Sequence, residues 1–266
     1  MRKIATLSFL LACAAILATG EASAQEATQA SGSHGLVAAG PGIVPEFDGS
    51  GDQRLIPFVI ADVRLGGIDV EVRGLRGRAD LAPDARFSIG PVLGARLPRE
   101  DAGGAVGLLP TIDTAIEAGA FVGYTLGGDA RGEGSVRLEL SAVHDVSGTH
   151  DGLLATTTVS YAAVRRTDFF LSFDLQATWA DKDYARTYFG IEPADAAASG
   201  LPVFRPGSGF RDVGAGLTAG YWFGRRIGVL GRLGAGYLVG EIGDSPVTEE
   251  GSRWQPTAGI ALSYRF

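Results

Sequence analysis

The sequence predicts an all-β protein, a closed antiparallel transmembrane barrel of about ten strands with a short helix in one long external loop. Three observations lead there: stretches with period-two alternation, aromatic residues near the ends of those stretches, and connections of alternating length. Successive side chains of a strand point to opposite faces, so one apolar face per stretch marks a half-buried strand.

The 266-residue chain opens with Arg2 and Lys3, an apolar run from Ile4 to about Leu17, and the small-residue site Ala22-Ser23-Ala24. This is the layout of a secretory signal, cut after Ala24. A lipoprotein box at Leu10-Leu11-Ala12-Cys13 is the competing reading, against which the apolar run continues past Cys13. Cleavage removes the only cysteine, leaving no disulfide and no thiol chemistry. It also removes Arg2, Lys3 and Glu21, a net +1, which takes the formal charge from -7 to -8. An acidic exported chain is a poor partner for nucleic acid. No later run of apolar residues is long enough for a transmembrane helix, which leaves strands as the route across a membrane.

Residues 25–53 read as a periplasmic or lumenal lead, and 54–266 as the barrel. Alternating stretches cover roughly 54–66, 67–78, 84–97, 114–127, 133–146 and 152–164. In the fifth, Val136, Leu138, Leu140 and Ala142 oppose Arg137, Glu139 and Ser141. Next, Phe169, Leu171, Phe173, Leu175, Ala177 and Trp179 oppose Ser172, Asp174, Gln176 and Thr178. Val213, Ala215, Leu217, Ala219, Tyr221 and Phe223 oppose Asp212, Gly214, Gly216, Thr218 and Gly220. Ile227, Val229, Leu233, Ala235, Tyr237 and Val239 oppose Arg226, Gly228, Arg232, Gly234 and Gly236, with Leu230 and Leu238 as exceptions. The last stretch sets Trp254, Pro256, Ala258, Ile260, Leu262, Tyr264 and Phe266 against Arg253, Gln255, Thr257, Gly259, Ala261, Ser263 and Arg265.

A soluble barrel with an apolar interior would show the same alternation. The polar faces, rich in Gly, Ser, Thr and charge, suit a wet lumen instead. Trp179, Tyr221, Trp222, Phe223, Tyr237, Trp254, Tyr264 and Phe266 suit interface girdles. The stretches also exceed the usual length of soluble strands. Seven charges are expected inside: Arg86, Arg96, Arg137, Asp174, Arg226, Arg232 and Arg265. The strand glycines are expected to relieve crowding on the inner wall.

Bacterial barrels join strands by short periplasmic turns and longer external loops. From the C-terminus, "EIGDSPVTEEGS" is long, "FGRR" short, 181–209 very long, "RRTD" short and 98–113 long. "SGTHDG" and "GGDARGEG" are too similar to decide. This alternation gives ten strands from Arg54 with both ends periplasmic. Residues 35–43, "GLVAAGPGI", are left to enter the lumen, cross the periplasmic mouth or pair with an edge; a missed strand would bring the count to twelve. Within 181–209, "IEPADAAASG" has Pro at an early helical position and Gly at the stop.

Ile260, Leu262, Tyr264 and Phe266 form an outward-facing C-terminal pattern that resembles the signal read by the barrel-assembly machinery. Three stretches resemble the MipA/OmpV family. "GPGIVPEFDGSGDQRLIPF" carries Pro45, Phe47, Gly49, Ser50, Asp52 and Pro57, with Phe47 where Tyr is more usual. The long loop carries Ser199, Gly200 and Pro202 and leads to Asp212, and the last hairpin carries Asp244, Ser245 and Pro246. The resemblance implies an outer-membrane scaffold. Its implied partners are a periplasmic lytic transglycosylase and a bifunctional penicillin-binding synthase.

Catalysis needs a nucleophile or an acid and base held together. Ser141, His144 and Asp145 are close in sequence, but Ser141 and His144 would point to opposite faces. His34 falls in the lead and His150 in a turn. "DGSGD" lacks the Gly and Glu of a calcium loop at Gln53 and Val59, and no glycine pair is followed by a phosphate-binding Lys-Ser/Thr. No enzyme, cofactor or metal is expected. A scaffold in outer-membrane lipid is the leading expectation, with a narrow solute channel as the alternative.

Overall fold

A computed structural model describes residues 35–83, 86–100 and 102–266. The signal segment, its cleavage after Ala24, and His34 lie outside the described residues.

Twelve antiparallel strands close into one barrel, each paired with its sequence neighbours, with the first sealed against the last. They are β1 (Gly35–Pro45), β2 (Gln53–Leu65), β3 (Ile68–Arg73), β4 (Arg76–Asp80), β5 (Phe87–Arg96), β6 (Ala115–Leu126), β7 (Val136–Asp145), β8 (Leu153–Arg165), β9 (Phe169–Ala180), β10 (Gly209–Trp222), β11 (Ile227–Leu238) and β12 (Trp254–Arg265). The barrel and the alternating stretches are as expected; the count of ten is corrected to twelve. The stretch 67–78 holds a hairpin, with Gly74 at φ 61° opening the turn between β3 and β4. The segment set aside as a lead contributes β1, so the wall begins at Gly35 rather than Arg54. Leu36 pairs with Arg265 and with Asp62, placing β1 between β12 and β2.

From β5 onward connections alternate as the sequence implied; before it the direction is reversed, because β2 begins at the mouth opposite to the periplasmic start expected for Arg54. At one end, the turn mouth, short turns link the strands and β1 begins beside the end of β12. At the other, the loop mouth, the connections fold into α1 (Lys182–Phe189), α2 (Pro193–Ser199), α3 (Gly240–Gly243), α4 (Pro246–Glu250) and a 3-10 turn at Val106–Leu108. Helix α2 matches the expected piece: Pro193 stands in its first turn, and Gly200 at φ 77° takes the left-handed stop.

The outer wall is apolar. Leu55, Leu140, Leu175, Leu233, Ile260 and Leu262 are all exposed there, at 51% or more. Phe87, Tyr124, Tyr161, Tyr221, Phe223, Tyr264 and Phe266 are exposed near the turn mouth; Phe210 and Trp254 are exposed at the loop mouth. Trp254 and Tyr264 stand ten residue steps apart on β12, ~33 Å of strand. At the tilt of ~40° common to such barrels, this is about the height of the lipid-facing band. Trp222 departs from the expected girdle: it is 2% exposed and points inward.

Candidate functional site

The lumen is the candidate site, and its contents change with depth. At the loop mouth the connections build a cap with a dry core. Phe47, Val106, Leu109, Ile112, Tyr184, Tyr188, Phe189, Ile191, Ile242 and Val247 pack there on inward strand residues that include Phe121, Val143 and Leu238. Polar bonds fix the cap's pieces to one another. Buried Ser245 donates to Phe189 O at 2.7 Å and caps α4 by accepting from Val247 N at 3.2 Å. Arg99 donates to Tyr188 O at 2.9 Å and Pro110 O at 3.2 Å. Burial lowers its pKa to about 10, against the opposing pull of Tyr188 and Asp195.

Beneath the cap lies an ionic layer. Asp48 accepts from Arg96 at 2.6 Å and from the Tyr184 hydroxyl at 2.5 Å. Arg96 also donates to Glu117 at 2.8 Å, and His150 Nε2 stands 3.4 Å from the same carboxylate. Arg211 donates to Tyr184 Oη at 3.1 Å and pairs with Asp212. Burial pushes the Asp48 carboxyl up, but Arg96 and Arg211 outweigh it and hold the pKa at about 2. Burial raises the phenols of Tyr184 and Tyr188 well above their usual value, so both stay protonated, Tyr184 as the donor to Asp48.

Lower pairs line the wall. Arg78 bridges Glu71 and Glu139. Arg137 donates to Ser88 at 2.9 Å, Arg76 to Ser141 at 2.9 Å, and Arg232 grips Asp174. Nearer the turn mouth Trp222, Leu230, Ile60, Ala38 and Ala261, with Leu36, Phe58 and Phe170, form a second apolar plug. Arg265 reaches Thr167 O at 2.9 Å and lies over the Trp222 ring. A cavity of about 650 Å³ remains between cap and plug.

Of the seven expected lumenal charges, Arg96, Asp174 and Arg232 line this cavity, and Arg137 joins the lower pairs. Arg265 crosses the turn mouth, while Arg86 and Arg226 are exposed in turns. Sequence reasoning missed Asp48, Glu71, Arg78, Glu117, Tyr184 and Arg211 as lumenal groups, and placed Glu139 on a polar face without counting it among the lumenal charges. Glu117 and Glu139 were legible as acids in phase with a polar face, whereas Asp48 sits in a loop and Tyr184 on the short helix α1, and neither gave such a signal. Most of the motif residues gather in or under the cap. Pro45 and Phe47 lead into it, and the Gly49 amide donates to Gln255 at 3.2 Å. Ser50 accepts from Asp52 N at 3.0 Å. Ser199 closes α2 on Asp195 O at 2.7 Å, and Asp244 accepts from Arg253 at 2.7 Å. Pro202 is exposed, and Pro246 opens α4.

Ser141 is buried toward the lumen, while His144 lies on the outer face with Nδ1 2.6 Å from Asp145 O. The described residues hold no cluster of His, Cys, Asp or Glu suited to a metal ion.

An apolar outer belt, a sheet closed on itself by the β1–β12 seam and a charged interior together define a transmembrane β-barrel of the outer-membrane type. The chain belongs to the family described as MltA-interacting protein MipA, whose model matches residues 37–266. No curated protein matches the chain. Among solved structures it is similar to the COG4313 outer membrane channel from Pseudomonas putida F1, at 12% identity and TM-score 0.41, covering 92% of this chain and 98% of that one. It is also similar to OmpT, an outer membrane protein of Vibrio cholerae, at 10% identity and TM-score 0.35, covering 88% and 97%.

Proposed function

We propose that the protein is a closed outer-membrane barrel that serves as a scaffold, holding a murein-degrading lytic transglycosylase near a penicillin-binding synthase. The family's description as an MltA-interacting protein supplies the partner class. The observation that carries the reading is the double closure of the lumen: a dry cap core at one mouth and the Trp222 plug near the other. Between them, opposite charges pair instead of lining a continuous path.

The turn mouth, which faces the periplasm in this reading, offers the docking rim. Arg86, Arg131, Arg166, Arg225 and Arg226 are exposed there and outnumber Asp129, Glu133 and Asp168 among the described residues. Such a rim suits an acidic face on a periplasmic partner. Planar-bilayer recording combined with crosslinked pull-down from intact envelopes tests the proposal. A silent barrel that retains both murein enzymes is expected; steady ion-selective steps without those enzymes would establish the channel instead.

A further inference from the structure

The wall of the barrel is not of even height. Strand β2 has 13 residues, whereas β3 and β4 beside it have 6 and 5. β3 pairs with β2 only from Ile60 to Leu65, and β4 pairs with β5 only up to Gly94. The hairpin ends where Gly74 N donates to Val59 O at 2.8 Å and Ala95 N donates to Leu75 O at 3.0 Å. Above that line Gln53–Phe58 pairs with β1 and, among the described residues, has no strand on its other side. At ~3.3 Å per residue the bare edge is ~20 Å long.

The sequence is adapted to this edge. In an antiparallel strand alternate residues turn both backbone groups to the same side. Val59 O faces β3, so Pro57, Leu55 and Gln53 turn theirs into the gap. Proline has no N–H to leave unpaired and is tolerated on sheet edges for that reason. Its partner across the β1 seam is Pro41, another residue unable to donate, consistent with a pair that exchanges no bonds on that side.

The lumenal cavity reaches this gap. Gly74 and Leu75 at the hairpin's tip line it, as do Ile56 and Phe58 on β2 and Leu97 beyond β5. One side is therefore apolar and adjoins the lipid-facing wall, where Leu55 is 74% exposed. The far side is charged. Five arginines (73, 76, 96, 211 and 232) and four carboxylates (48, 117, 174 and 212) line the cavity, an excess of 5 − 4 = +1. Arg73 carries the excess and is matched by Asp62 and Glu71, which lie outside the lining; of the other four arginines, Arg76 alone has no carboxylate within ion-pair distance among the described residues and donates instead to the Ser141 hydroxyl.

We propose that the gap between β2 and β5 is a lateral window, and that the cavity behind it takes a single-chain amphiphile with a monoanionic head, a long-chain carboxylate. The head pairs with Arg76, whose planar guanidinium matches a carboxylate's two oxygens. The chain lies over Phe58, Ile56 and Leu75 and leaves through the window into the hydrocarbon. The volume falls within the usual range for small-molecule sites. This site is independent of the scaffold role, and either can stand without the other.

The test uses the processed protein in lipid nanodiscs with a photoreactive palmitate analogue. Crosslinks are expected to concentrate in 53–60, 73–76 and 94–98, to be competed by dodecanoate and not by dodecanol. Arg76→Gln should lower labelling about tenfold, the loss of one charge-assisted pair, while Arg76→Lys keeps most of it. Leu75→Trp, which fills the window and leaves Arg76 in place, should reduce labelling as well. Heat-modifiable gel mobility establishes that each variant is folded. Crosslinks spread evenly around the outer belt, or labelling equal in wild type and folded Arg76→Gln, would overturn the proposal.

Discussion

Arg232 holds Asp174 across the β9–β11 wall with two parallel hydrogen bonds of 2.8 and 2.9 Å. The pair passes over Gly216 of β10, where a Cβ would stand 2.6 Å from both groups. The glycine is thus the floor on which the pair lies. Gly216→Val should push the partners apart and leave two charges facing the lumen unpaired. Asp174→Ala should cost about 2 kcal/mol through the stranded guanidinium. Urea unfolding in detergent, followed by tryptophan fluorescence, reads both, and restoring neutrality with Asp174→Asn and Arg232→Gln together should recover part of the loss.

The cap should loosen in strong acid. The Asp48 pKa falls from its ordinary 3.8 to about 2 in the folded protein. A depressed folded value means that the stabilisation is complete above 3.8 and disappears as pH falls through about 2. The linked free energy is about 2 kcal/mol. Cleavage of the loops by an acid protease should therefore rise sharply between pH 4 and pH 2. In Asp48→Asn it should be high throughout that range, because neutral Asn no longer answers Arg96 and Arg211.

The barrel, its apolar outer face and helix α2 were legible because each is written in local spacing. The errors have physical causes. In β1, "GLVAAGPG" carries small residues on both faces, so period two leaves no contrast; Gly42 and Gly259 are small because Phe58 lies against them. The β3–β4 turn falls inside a stretch whose alternation runs on through the hairpin. Leu230 and Leu238 looked like lapses in the pattern, yet each fills the lumen, one in the plug and one under the cap. Trp222 was assigned to the girdle by its place at a strand end, although it is out of phase with the outward Tyr221 and Phe223. The ion pairs were out of reach, since Arg78 meets a carboxylate 61 residues away and Arg96 one 48 residues away.

The exposed arginines of the turn mouth separate docking from folding. Arg225→Glu combined with Arg226→Glu removes two positive charges from a turn where Arg226 makes only a 3.3 Å bond to Tyr264 Oη at the surface. Stability should change by less than about 0.5 kcal/mol. On the scaffold proposal, recovery of murein enzymes by crosslinked pull-down should drop severalfold, and added salt should weaken the wild-type recovery in the same direction.

Two closures in series should make single lesions silent. Removing 182–204 opens the loop mouth but leaves Trp222, Phe170 and Leu230 packed below. Phe170→Ala with Trp222→Ala hollows the plug but leaves the cap core intact. Neither change alone should conduct, whereas the combination should give steady openings in planar bilayers. Conductance after either change alone would mean that the remaining closure is leaky.

Phe266 joins the seam of the barrel: Gly35 N donates to Phe266 O at 3.1 Å and Phe266 N to Gly35 O at 3.0 Å. Its ring lies where a Cβ on residue 35 would have to sit, and it is 52% exposed beside Tyr264, 6.4 Å between ring centres. A structural role and an assembly signal make different demands on this side chain. The backbone bonds of the seam survive Phe266→Ala, so spontaneous refolding into lipid vesicles should proceed at nearly the wild-type rate. If the ring is also the mark read by the assembly machinery, the same variant should accumulate severalfold less folded barrel in cells, measured by heat-modifiable mobility of envelope fractions. Gly35→Val gives the opposite result: it leaves the ring in place for recognition but collides with it in the closed barrel, slowing refolding in vesicles as well as in cells. Equal losses for both variants in vesicles would assign Phe266 to the seam alone.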